Sequence, residues 1–117
     1  MLITAAALAG LLGVALSAIA AHAGKGPNLE TAARFLLLHA PALLAIVALA
    51  WAGAVDERVA RVAAYAMLLG LALFCGDLVM RAYRDAPLFP RAAPTGGFVL
   101  MLGWLLVAVA GLMRVWR

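Results

Sequence analysis

Six side chains in this sequence could do chemistry, and they stand near one end of three apolar runs: His22, Arg34, His39, Asp77, Arg81 and Arg84. Arg34 and His39 belong to one stretch, Arg34–Phe35–Leu36–Leu37–Leu38–His39–Ala40–Pro41. An arginine inside a membrane segment costs at least ~2.5–3.5 kcal/mol on insertion scales, so it needs a partner or an aqueous cavity. Asp77, Arg81 and Arg84 are four and three residues apart, which lines them along one helix face. Arginines and histidines between helices at headgroup depth suit a phosphate or another anion. His39 and Asp77 could instead relay protons in a small carrier, with Pro41 as its hinge. Beyond them, however, helices 2 and 3 offer only Cys75 and Tyr65, and helix 1 only Ser17 and Thr4. A through-path lacks titratable steps, so anion binding is the favoured reading.

The same residues also have plain structural uses. Asp77 and Arg81 can form an i,i+4 pair near the membrane boundary, since a lone carboxylate there is costly. His22 and His39 can hydrogen-bond a backbone carbonyl, such as that of Leu37, which Pro41 leaves without its helical donor. Metal binding needs three or four ligands, and His22, His39 and Asp77 are the only candidates, without HxxxH or CxxC spacing. Bis-histidine haem ligation needs a wide pocket, which helices rich in Ala and Gly do not leave. The sequence holds no nucleophile paired with a base, no phosphate loop and no basic stripe interleaved with aromatics. It therefore points to no enzyme, no cofactor and no nucleic-acid partner.

The elements that position these residues are membrane helices. Of 117 residues 68% are hydrophobic and 12% charged, and the mean hydropathy is +1.11. A soluble domain of this size cannot hide so much apolar surface, whereas a bilayer accepts it in runs of about 20 residues. The Lys and Arg residues stand singly at the ends of those runs, as helix anchors do. Cys75 is the only cysteine and cannot form an intrachain disulfide.

The fold expected is all-α, a four-helix transmembrane bundle in a single domain over 1–117, with helices at about 2–22, 29–53, 61–83 and 95–114. Helix 1 lacks the positive n-region of a signal peptide and is too long for its apolar core. A turn over Ala23–Asn28 follows. Helix 2 is expected to kink at Pro41, so that 28–38 forms an interfacial lead-in. Gly53 followed by Val55–Arg61 reads as a short polar link, and Asp85–Pro94, with its three prolines, as the longest loop. Four antiparallel spans put both termini on one side, and a near-balanced Lys/Arg count leans only weakly to cytoplasmic termini. Small residues recur at Ala9, Gly13, Ser17 and Ala21 and at Gly96, Gly103 and Ala110, allowing close helix approach. They exceed what four helices need internally, so a homo-oligomer or a small membrane partner is expected besides membrane lipids.

Four patches carry a resemblance that spans the chain: Ala20–Ala21–His22–Ala23; Arg34 with His39–Ala40; Leu73–Phe74–Cys75–Gly76; and Pro94–Thr95–Gly96–Gly97 with Gly103–Trp104. In order and spacing the sequence resembles the small bacterial inner-membrane family catalogued as domain of unknown function 423, which has small eukaryotic transmembrane relatives. The resemblance implies a compact four-helix domain, multi-pass in the inner membrane, with no established activity. The sequence departs from the family pattern between Arg34 and His39, where Phe35–Leu36–Leu37–Leu38 replace aromatic and amide side chains. It departs again at Asp77, where the family has a small residue; Asp77 is expected to pair with a nearby arginine.

Overall fold

Four apolar runs fold as four helices: α1 (Leu2–Ala23), α2 (Pro27–Trp51), α3 (Glu57–Arg84) and α4 (Ala92–Val115). Each is long and apolar enough to cross a membrane. The computed structural model describes residues 1–24 and 26–117; Lys25, which the sequence places in the first turn, lies outside the described residues. Short connections make successive helices antiparallel neighbours.

The helix ends follow from local chemistry. α1 stops at Gly24, whose φ of 60° is a left-handed conformation open to glycine. Pro27 opens α2, where its fixed φ suits the first helical position. α2 then runs unbroken through Pro41 to Trp51, with no separate lead-in over 28–38. α3 starts at Glu57, ahead of the expected residue 61, because the Asp56 carboxylate accepts the Val59 N–H at 3.1 Å and caps the first turn. Glu57 and Arg61, read from sequence as link residues, form an i,i+4 ion pair on that turn. α4 starts at Ala92 rather than 95, since Pro94 falls in the first turn, where its missing N–H forfeits no helical bond.

Asp56 also ties this turn to the end of α4. Its N–H donates to the Ala110 carbonyl at 2.9 Å, and its carboxylate pairs with Arg117 at 2.9 Å. The Val59 N–H holds the Asp56 carboxyl below the ordinary carboxylate range, with the Arg117 charge adding to it against partial desolvation.

Helices α3 and α4 meet backbone to backbone. A Cβ added at Gly96 would lie 2.5 Å from the Phe74 nitrogen and 2.8 Å from the Gly70 carbonyl oxygen. Gly103 faces the Met67 side chain, with the backbone of Ala63 and Met67 a little farther off, and Gly96, Gly103 and Ala110 are all buried. α1 approaches α2 through Ala6, Ala9 and Gly13, the last against Leu36 and Leu37. Leu36 and Leu43 on α2 and Met67 and Leu71 on α3 belong to the one buried core. The small-residue ridges are thus largely used inside the chain; only Ser17 and Ala21 remain exposed.

The bundle is open. Among the described residues α1 packs along α2, α2 along α3 and α3 along α4, α1 only grazes α3, and α1 makes no packing layer with α4. This staggered order gives a flattened body of 50 × 27 × 20 Å and leaves one groove between α2 and α4 and another between α1 and α3. The outward side chains, Leu8, Leu11, Leu12 and Val14 on α1 and Phe98, Met101, Leu102 and Leu105 on α4, are apolar. Such a surface suits lipid rather than water.

Candidate functional site

His39 is the thirteenth residue of α2 and Trp104 the thirteenth of α4. At 1.5 Å per residue both stand roughly 18 Å inside their helices, near the middle of the span. His39 therefore lies deeper than the depth it was expected to share with His22 and Asp77. It is 2% exposed. One ring nitrogen, Nδ1, is 2.8 Å from the Phe35 carbonyl oxygen, and the other, Nε2, is 3.2 Å from the Trp104 indole nitrogen. A carbonyl only accepts and an indole N–H only donates, so this pattern requires the tautomer with its proton on Nδ1. The partner is Phe35 rather than Leu37 because helical side chains lean towards the N-terminus, which brings the ring to the carbonyl four residues back.

The His39–Trp104 bond joins α2 to α4 at the base of the groove between them. Phe35, Leu38 and His39 form one wall, Phe74 the back, and Pro94, Gly97, Phe98, Met101 and Trp104 the other wall, around about 460 Å³. Phe35 packs on Phe74 with ring centroids 4.3 Å apart and stacks on His39 at 5.7 Å. From Pro94 to Trp104 the helix rises by ten residue steps, roughly 15 Å and half of a ~30 Å hydrocarbon core. The groove thus runs from the loop end to mid-membrane, where the His39–Trp104 pair closes it. The α1–α3 groove is larger, about 640 Å³, but Leu88 is part of its lining at the loop end.

Asp77 is fully buried. One carboxylate oxygen accepts from Arg81 Nε at 2.8 Å, and the other accepts the Leu88 N–H at 2.8 Å. The i,i+4 pair expected from sequence is present, and a second bond, to the loop, comes with it. The loop enters and leaves through left-handed residues, Asp85 (φ 52°) and Arg91 (φ 64°). Such conformations cost of order 1–3 kcal/mol each in non-glycine residues. The Asp77–Leu88 bond is one interaction that holds the segment there.

Of the six residues singled out from sequence, the structure bonds Asp77 to Arg81 directly. Arg34 is exposed and pairs with Glu30 at 2.8 Å. His22 and Arg84 are exposed, and their side chains bond no described residue. His39 bonds neither Asp77 nor an arginine. Among the described residues no group of three His, Cys, Asp or Glu side chains is placed to hold a metal ion. Sequence reasoning missed Leu88, Glu30 and the bond of Trp104 to His39; the matched depth of Trp104 and His39 was the available signal, hidden by the expected interfacial lead-in over 28–38, which set His39 at headgroup level.

The family described as "Protein of unknown function (DUF423)" matches residues 16–97. The chain belongs to this family. A UPF0382 membrane protein of Haemophilus influenzae (strain ATCC 51907 / DSM 11121 / KW20 / Rd) is 31% identical over 114 residues, covering 91% of this chain and 89% of that protein. No solved structure matches. The DUF423 segment takes in Arg34, His39, Asp77, Arg81 and Arg84 and stops before Trp104. The protein is a membrane protein of that family, as its four spans and this relative together show.

Proposed function

We propose that this DUF423 protein is a non-enzymatic, multi-pass inner-membrane protein that holds an anionic lipid headgroup at the loop end of the bundle. The observation that carries this reading is the state of the arginines there. The side chains of Arg84 and Arg91 make no bond with a described residue, and the Arg34 side chain is tied only to Glu30 and is 78% exposed. Those three and Arg81 stand against the carboxylates Glu30, Asp77 and Asp85, leaving that end net positive. Guanidinium groups with free donors at headgroup depth match phosphate oxygens bidentately. A proton relay through His39 and Asp77 has weaker support. Both imidazole nitrogens are engaged, and the indole next to His39 offers only a donor.

Arg34→Ala tests the headgroup reading without threatening the fold, because an exposed i,i+4 pair is worth only ~0.2–0.5 kcal/mol. In native mass spectrometry of protein extracted with its lipids, the original chain should retain an anionic lipid and the variant several-fold less. Equal retention by both would remove the headgroup site.

A further inference from the structure

The arginine end and the α2–α4 groove are continuous by register. Each wall of the groove leads outward into an arginine. On α2, Arg34 directly precedes Phe35 and stands one turn above Leu38. On α3, Arg81 follows Phe74 by seven residues, two turns along the same face. On α4, Arg91 caps the helix three residues before Pro94. Below this basic collar the groove is lined by aromatic and aliphatic groups for one leaflet's depth. The polar groups at its base are bonded to each other and to the Phe35 carbonyl. It offers a ligand no polar partner there, only apolar contact.

We propose that this groove holds one acyl chain of the same anionic lipid, with the headgroup at the collar and the chain end on the His39–Trp104 pair. The proposal rests on the headgroup reading and adds where the chain goes. Charge selects the occupant: a basic collar above an apolar slot about 15 Å deep fits an anionic amphiphile with a chain of one leaflet's length. The α1–α3 groove is the poorer candidate, since Leu88 borders its loop end.

Gly97 provides the test. It lines the groove, and a Cβ built there meets no atom within 4 Å, so a larger side chain enters the groove rather than the protein. Replacing Trp51 and Trp116, both exposed, with Phe leaves Trp104 as the only tryptophan. In detergent micelles, phosphatidylglycerol brominated near the chain end should quench Trp104 emission and saturate near one lipid per protein. Brominated phosphatidylcholine should quench it weakly. Gly97→Phe and Gly97→Leu should both abolish the saturable quenching. Unsaturable quenching in the parent, or saturable quenching unchanged in both Gly97 variants, overturns the chain site. Failure of the headgroup reading is a separate result: equal lipid retention by the Arg34→Ala protein.

Discussion

Gly96→Ala should destabilise the protein by about 3 kcal/mol, the upper end of the usual cost of overpacking. The new methyl group would lie 2.5 Å from the Phe74 nitrogen and 2.8 Å from the Gly70 oxygen. Both are backbone atoms, so no side chain can swing aside and α3 and α4 must separate. Separation would also strip contacts from Leu100, which is buried in the core. The next residue supplies the control. Gly97→Ala meets nothing within 4 Å and should be neutral or gain up to about 1 kcal/mol from helix propensity. Unfolding by SDS titration in mixed micelles reads both. Equal midpoints for the two variants would mean that the α3–α4 contact is looser than described.

Asp77→Ala should cost roughly 2–3 kcal/mol, because hydrogen bonds to a charged group contribute about 1.5–3 kcal/mol. Two are lost together, from Arg81 Nε and from the Leu88 N–H. Since Arg81 is already 43% exposed, it returns to water at little expense, so the loss falls mainly on the loop. With Asp85 and Arg91 both left-handed, a released loop has a local incentive to relax. Hydrogen exchange at the Leu88 amide should accelerate in Asp77→Ala. Asp77→Asn keeps one carbonyl acceptor and should preserve much of the protection. An unchanged Leu88 exchange rate in the alanine variant would show that the carboxylate does not hold the loop.

These residues mark what could be read before the fold was known. The four spans, the Asp77–Arg81 pair and the close-approach face through Gly96, Gly103 and Ala110 depend on spacing within one helix, which sequence displays directly. The His39–Trp104 bond depends on the depth of α2 relative to α4, and that register is set by where each helix begins. An expected interfacial lead-in over 28–38 sets His39 at headgroup level, whereas α2 is one helix from Pro27 to Trp51; α4 begins three residues early because Pro94 stands in a first turn that tolerates proline. The Asp77–Leu88 bond was hidden for a different reason. It joins a helix to an irregular loop eleven residues on, and no periodicity reports such a contact. The ridge on α1 was legible as a packing surface, but its partner was not: Gly13 meets Leu36 and Leu37 of the same chain, so the ridge provides no support for self-association.

If exposed arginines at one end of the bundle select a lipid by its charge, a direct competition between lipids shows it. The protein, purified in detergent and given an equal mixture of phosphatidylglycerol and phosphatidylcholine with identical chains, can be weighed intact by native mass spectrometry. A single phosphatidylglycerol should remain bound in preference to phosphatidylcholine as collision energy rises. Retention of the two lipids in proportion to the mixture would contradict selection by charge.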